Sequence, residues 1–434
     1  MDSSEEIKKI IIPIPQPSIK ALVFNGGGIK GLAYAGALRV LDKQNLLKNI
    51  EWVVGTSAGA MFALMVALNY TPEEIEAEIK TVNFEEFKDH EGGNSLLGKI
   101  INPIKSLKTL LWDKEGYYLG KKLHQWVQKI VKQKLQTEHA TFDDLHQKKA
   151  KQSVNYCFKD LLVTVTDFDK KIINTLGYGK KSTGRMRIAD AVLASMSIPG
   201  VYRTRYIDPE TQKMIWQPTA EQKKNKTLVR YVDGGVLSNY SIEVFTHPQY
   251  WPMGYYGLAN NKSINPGVLG LRLDSMDTEA EAIRSFWASP NKTPAASPLI
   301  TDYVKELFYN LISDNTKARF HSMQTIFIPI SKTIGVTDFN INKKTKNDLI
   351  NSGEKATKQY IDNYLKDAVY DFIVYKNHEE LSEDYAIKKR LWNDLCKLNN
   401  PNKNEAEYRN SLEIYFQSVV RAKELVESSQ TFTC

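Results

Sequence analysis

The sequence predicts a three-layer α/β/α fold built on a mostly parallel central sheet, followed by a helical C-terminal extension. Three observations predict it. A short apolar run, a glycine turn and an apolar helix follow one another twice, starting at Ala21 and again at Ile50. Further short apolar runs at 161–165, 228–232, 267–273 and 325–329 alternate with segments of helical period, as in parallel sheets covered by helices. Beyond residue 366 this alternation stops, and 381–398 and 404–428 read as two helices.

In chain order, residues 1–18 form an arm, charged with both signs and then broken by three prolines. Residues 21–24 read as a strand that breaks at Gly26-Gly27-Gly28, and a helix starts near Ile29. Residues 50–54 are a second strand, ending in Gly55-Thr56-Ser57-Ala58-Gly59 before a buried helix over 60–68. Thr71-Pro72-Glu73-Glu74 is a capping box with proline at the first helical position and predicts a helix to about residue 82. Residues 89–118 mix glycine, apolar residues and lysine without a stable period, which suits either a lid or a packed insertion. Residues 120–136 and 141–149 read as helices, the first with a lysine face that suits anionic lipid or plain solvent. The run 156–166 is a central strand with 172–176 folding back on it, 187–196 is a buried helix, and 203–228 is a polar excursion. A strand at 228–232 delivers Asp233 to its end, followed by Gly234-Gly235. A strand at 267–273, a linker over 274–297, an amphipathic helix over 300–320, a strand at 325–329 and a helix over 343–366 complete the pattern.

Composition limits the function classes. Of 58 basic residues 12 are arginine, leaving 58 − 12 = 46 lysines, and the net charge is +8. Nucleic-acid readers favour bidentate arginine, so this lysine-rich balance argues against nucleic acid; it suits an anionic membrane surface or solubility alone. Cys157, Cys396 and Cys434 show neither disulfide nor metal spacing, which predicts a reducing compartment and no metal. No cleavable signal is visible, and the longest apolar stretch, near 58–68, is too short to span a bilayer. The sequence therefore predicts a cytoplasmic chain whose membrane contact is peripheral.

The two glycine turns carry the chemistry. Gly-x-Ser-x-Gly between a strand and a helix pushes a serine out on a strained turn, and small residues on both sides avoid clashes. The helix N-terminus behind Ser57 favours developing negative charge. Gly26, Gly27 and Gly28 supply backbone N–H groups without side chains, which can close around an oxyanion. Gly26–Gly31 also fits a loose dinucleotide-binding G-x-G-x-x-G, but no acidic residue closes the next strand, where Gly-Thr-Ser-Ala-Gly stands instead. An ordinary Ser-His-Asp hydrolase places its serine after several strands; Ser57 follows only the second. Asp233-Gly234-Gly235 alone is most often a plain turn.

Together these segments resemble a patatin-like phospholipase, a lipid acyl hydrolase. The resemblance rests on Gly26–Gly31, Gly55–Gly59 around Ser57, Asp233-Gly234-Gly235 with the residues that follow, and Ala194-Ser195-Met196-Ser197-Ile198-Pro199. It runs from about residue 19 to 366, which makes 19–366 the catalytic domain and 367–434 a helical extension. Asn25 stands where the family usually has aspartate, and Ser197 where alanine is commoner.

The resemblance implies a Ser57–Asp233 dyad that needs no cofactor, with Asp233 as general base and Gly26, Gly27, Gly28 and Lys30 forming the oxyanion hole. It implies hydrolysis of phospholipid esters of the phospholipase A type. A transacylase or neutral-lipid esterase would use the same dyad, and a catalytically silent lipid-binding protein is the reading from another class. The appended helices resemble secreted effectors activated by a host protein, which implies a host activator as partner. Among the histidines, His247 is the best-placed challenger to Asp233 as base, fourteen residues further on.

Overall fold

The computed structural model describes residues 10–15, 19–89, 116–151, 158–180, 183–246 except 226, 265–274 except 266, 324–362 except 332, 336, 337 and 339, 370–375 and 378–397, with five further positions between 409 and 419. The sequence expectations for 90–115, 275–323 and most of 398–434 lie outside the described residues, as does His247.

The chain divides into two compact units: residues 1–18, 245–267 and 360–434 in one, and 19–244 with 268–359 in the other. In the first, β1 (Ile10–Pro15) pairs antiparallel with Tyr370–Tyr375, the last strand among the described residues. The extension therefore contains a strand beside its helices. Its YDFIVY sequence is aromatic and β-branched, as strands prefer, while β1 accommodates Pro13 and Pro15 because a two-stranded ribbon has open edges.

In the second unit β2 (Ala21–Phe24), α1 (Ala33–Lys43), β3 (Trp52–Thr56), α2 (Ala58–Ala67) and α3 (Pro72–Thr81) follow in order, with a 3₁₀ turn at Gly28–Leu32 before α1. The predicted capping box at Thr71 and Glu74 is formed in both directions. Next come α4 (Lys121–Leu135), α5 (Phe142–Ala150), β4 (Asp160–Asp167), β5 (Ile172–Gly177), α6 (Ile188–Ser195), β6 (Arg205–Ile207), β7 (Met214–Ile215), α7 (Ala220–Lys224) and β8 (Val229–Asp233). Then β9 (Val268–Asp274), β10 (Thr325–Pro329) and α8 (Lys343–Tyr360) complete this unit; β11 (Tyr370–Tyr375) and α9 (His378–Cys396) belong to the first.

Among the described residues the central sheet has nine strands in the order β10-β9-β2-β3-β4-β8-β6-β7, with β5 also on β4. From β10 to β4 every ladder is parallel, whereas β5 and β8 run antiparallel to β4. This is the α/β/α architecture that the sequence predicts. Strands β2 and β4 are buried along their whole length, as expected of strands covered on both faces, and β2 reads as a continuous apolar run. Two lysines of α4 pair with α3: Lys129 reaches Glu78 at 3.1 Å and Lys134 reaches Glu74 at 2.8 Å, while Lys121, Lys122 and Lys132 stay exposed.

Helices α1 and α8 touch through their backbones. A Cβ on Gly36 would lie 1.9 Å from the Ile350 carbonyl oxygen, and one on Gly353 would lie 1.8 Å from that of Ala33. Neither position has room for a methyl group, so Gly36→Ala or Gly353→Ala must push the helices apart. Each should lower unfolding stability by about 1–3 kcal/mol, checked by urea denaturation; unchanged midpoints would show that the crossing is looser than this.

Candidate active site

Strand β4 arranges the site. Leu162–Thr164 pair on one side with β3 and on the other with β5, and Val165–Asp167 pair with β5 and with β8. Strands β3 and β8 therefore share one edge of β4 and run towards each other. Thr56 ends β3 opposite Thr164, and Asp233 ends β8 opposite Val165. The next residue after β3 is Ser57, so the topology brings serine and aspartate together at the carboxyl ends of the parallel strands.

Ser57 sits at φ 54° and ψ −130°, a conformation costly for any residue with a side chain. Its surroundings enforce that conformation. Cβ atoms at Gly55 and Gly59 would lie 2.3 Å from the Gly59 carbonyl oxygen and 2.4 Å from that of Phe24, so both positions require glycine. The Ser57 N–H donates to Ser195 Oγ at 2.8 Å, and Ser195 Oγ donates to the Thr164 carbonyl at 2.7 Å. Ser195 thus ties the elbow to β4 from helix α6. Ser57 is also the N-terminal residue of α2, an apolar helix buried throughout, whose positive end points to the serine.

The glycine loop packs against the same serine. A Cβ on Gly26 would lie 3.0 Å from Ser57 Cβ and 2.2 Å from Asn239 Oδ1. Asn239 clamps that residue twice, accepting the Gly26 N–H on its carbonyl and donating from Nδ2 to the Gly26 carbonyl, both at 3.0 Å. Gly28 has φ 57°, which favours glycine. The N–H groups of Gly27 and Gly28 have no acceptor among the described residues. Asn25 holds the start of the loop to β9: Oδ1 accepts the Leu273 N–H at 2.9 Å and lies 2.7 Å from the Tyr34 hydroxyl. Gly31 lies under Phe62, 3.2 Å from where its Cβ would be. Lys30 is buried, and burial lowers its pKa against the opposing pull of Asp274 and Asp338.

Asp233 is fixed at both ends. Its N–H donates to the Ser197 carbonyl at 2.9 Å, and its Oδ1 accepts the Gly235 N–H at 2.7 Å. Oδ2 is buried without a hydrogen bond of ordinary geometry, and the side-chain hydroxyl acting on the carboxyl is that of Ser57. Burial pushes the carboxyl up to about 7, against the opposing effects of Ser57 and the Gly235 N–H. Gly234 passes so close to β4 that its Cβ would lie 2.3 Å from the Thr164 carbonyl oxygen. The Ser197 hydroxyl, where the family has alanine more often, accepts from Arg205 Nε at 2.9 Å.

An apolar cleft opens beside Ser57, lined by Ile29, Met61, Phe84, Phe87, Met196 and Tyr202 among others. Phe84 and Phe87 come from a short 3₁₀ turn after α3 that the sequence did not mark. Two histidines are held elsewhere: buried His124 bonds Asp190 at 2.7 Å, and His146 bonds Asp160 at 2.9 Å and stacks on Tyr178. Among the described residues no cluster of His, Cys, Asp or Glu could hold a metal, and no helix is long and apolar enough to cross a membrane.

A family model described as Patatin-like phospholipase matches residues 22–246, just over half of the 434 residues. The chain belongs to the patatin-like phospholipase family. The match spans the glycine loop, the serine elbow and Asp233, and family membership implies action on lipid esters. Relatives in sequence include the uncharacterized protein YqhO of Bacillus subtilis, 26% identical over 341 residues, which cover 78% of this chain and 97% of that one. An uncharacterized protein of Acanthamoeba polyphaga mimivirus is 25% identical over 349 residues, covering 80% and 95%. Among solved structures, VipD from Legionella pneumophila aligns with 96% of this chain and 84% of its own at 17% identity and a TM-score of 0.48.

The Asp233 carboxyl, raised from 3.8 to about 7, is protonated in the folded chain between those values and ionised in the unfolded one. Its burial therefore costs nothing below pH 4, and the penalty grows as pH rises to about 7. Asp233→Asn should leave the melting temperature near the wild-type value at pH 4 and raise it relative to wild type at pH 8. A scan at both pH values checks this; a lower melting temperature at pH 8 would show that the carboxylate is stabilised where it lies.

Proposed function

We propose that this chain is a serine acyl hydrolase that cleaves phospholipid ester bonds, of the phospholipase A type, through Ser57 and Asp233. The observation that carries this reading is the head-on approach of β3 and β8 along β4, with a strained serine at one end and a buried carboxyl at the other. Asp233 takes the Ser57 proton as Oγ attacks the ester carbonyl carbon. Negative charge then develops on the carbonyl oxygen, and the amides of Gly27 and Gly28, which have no acceptor among the described residues, receive it, with Gly26 holding the loop against Ser57. The Lys30 N–H is spent on the Gly27 carbonyl at 3.2 Å, so Lys30 contributes by shaping the loop and by its buried charge. As the intermediate collapses, Asp233 returns the proton to the departing lysolipid alkoxide, leaving an acyl group on Ser57. Water, deprotonated by Asp233, releases the fatty acid.

Burial suits the carboxyl to both roles. A base that also serves as acid works best with a pKa near the operating pH, and about 7 is such a value. The cleft lined by Ile29, Met61, Phe84, Phe87 and Met196 offers an apolar path for the acyl chain. The reaction as drawn needs no metal or organic cofactor. Contact with the bilayer is peripheral, and an activator from a eukaryotic host is part of the proposal to be tested.

Release of fatty acid and lysolipid from mixed phospholipid vesicles, with and without eukaryotic cell lysate, is the deciding assay. Ser57→Ala should lower turnover by at least about 10⁴-fold and Asp233→Asn by about 10²–10⁴-fold. Wild-type turnover should rise with pH and level off above about 7. Transfer of the acyl group to an added alcohol in preference to water would favour the transacylase. No Ser57-dependent product under any condition would overturn the hydrolase.

A further inference from the structure

We propose that the tip of the β4–β5 hairpin docks this chain on the surface of an anionic phospholipid bilayer, with Phe168 and Ile172 entering the interface and Lys170 and Lys171 facing headgroup phosphates. This inference rests on the lipid-ester reading of the family.

The hairpin is exposed where the rest of the sheet is not. Phe168, Ile172 and Ile173 are 47%, 46% and 41% exposed, and they fall within six consecutive residues. Six large apolar side chains are at least this open among the described residues, so half of them share one short turn. Scattered apolar exposure is ordinary, but clustering of this kind marks a contact surface.

The turn is preformed. Asp167 Oδ1 accepts the N–H groups of Asp169 and Lys170 at 3.2 and 3.0 Å, the Lys171 N–H returns to the Asp167 carbonyl at 2.9 Å, and Lys171 adopts φ 54°. These bonds hold Phe168 outward, with the Arg230 guanidinium 4.7 Å from its ring. Charge at the tip is cationic on its outer side. The Asp167 carboxylate is buried beneath the turn, with Lys170 Nζ 3.3 Å away on a side chain that stays 66% exposed, and Asp169 is paired with Arg230. Lys171 adds a second lysine, in a chain with a net charge of +8.

Register places the tip relative to the site. Thr56 and Asp233 meet β4 at Thr164 and Val165, and the tip begins at Phe168, three residues further in the same direction. At 3.3–3.4 Å per residue the apolar group stands about 10 Å beyond the level of the dyad, at the same end of the sheet. Contact between this end and a bilayer would bring the site towards its substrate.

The shape of the tip favours lipid over a protein partner. Successive strand residues point to opposite faces, so Ile172 and Ile173 project on both sides of the ribbon while Phe168 caps it. A flat protein surface covers only one face of such a wedge, whereas a fluid interface surrounds it. An aromatic and aliphatic tip with flanking lysines is the composition that interfacial anchors use.

The test is sedimentation of the full chain with phosphatidylcholine vesicles, with and without phosphatidylglycerol. It is run in a Ser57→Ala background so that lipid is not consumed, with analytical ultracentrifugation of the free protein alongside. Phe168→Ser with Ile172→Ser should weaken binding by about tenfold or more on both vesicles. Lys170→Gln with Lys171→Gln should weaken it by a similar factor only where phosphatidylglycerol is present. With Ser57 restored, both pairs should hydrolyse a soluble short-chain ester at the parent rate, which shows that they fold. Unchanged vesicle binding in both pairs overturns the proposal, as does loss of self-association with binding to lipid intact, which would make the tip a contact between copies. Absence of ester turnover in the parent would sink the hydrolase reading alone, because vesicle binding is measured without catalysis.

Discussion

The site depends on one constraint of sheet geometry: a single edge of β4 is long enough to hold the ends of two strands that approach from opposite directions. Strand β3 occupies that edge up to Thr164, and β8 takes it over from Val165. Ser57 and Asp233 need no long loop to find each other, because backbone hydrogen bonds on a buried strand fix where each strand stops. The glycines follow from the same crowding. Gly55, Gly59 and Gly234 each sit where a Cβ would enter a neighbouring backbone, and Gly26 sits where it would enter Asn239.

Crowding also sets the electrostatics. Asp233 is excluded from water and receives one backbone hydrogen bond, so its carboxyl rises to about 7 with no charged partner to pull it down. A histidine base has that pKa without help; a buried aspartate reaches it by desolvation. Such a carboxyl can exchange protons with a serine and a leaving group near neutrality, which gives physical content to a two-residue site. Buried His124 and half-buried His146 are spent on Asp190 and Asp160.

Much of this was legible in the sequence because it is local. Strand, glycine turn and helix follow one another in the chain, so the elbow at Ser57 and the loop at Gly26–Gly28 could be read by period and punctuation, as could the capping boxes at Thr71 and Thr141. Asp233 could be placed at a strand end, but only the family resemblance gave it a role, since its approach to Ser57 depends on register along β4. What escaped the sequence reading is long-range. The support of the elbow by Ser195, the clamp by Asn239 and the tie from Asn25 to β9 join segments 138, 213 and 248 residues apart. The pairing of Lys129 and Lys134 of α4 with Glu78 and Glu74 of α3 is likewise long-range, on a face whose other lysines stay exposed. The ribbon between β1 and β11 joins the two ends of the chain, and neither strand signals the other.

The most direct test of the central claim is covalent labelling with a long-chain fluorophosphonate, followed by mapping of the adduct by mass spectrometry. A serine made nucleophilic by a neighbouring carboxylate should give one adduct, on the peptide containing Ser57, at a rate that rises with pH to about 7 and falls by about 10²-fold or more in Asp233→Asn. An adduct on another residue, or labelling of Ser57 at an undiminished rate in Asp233→Asn, would contradict the account.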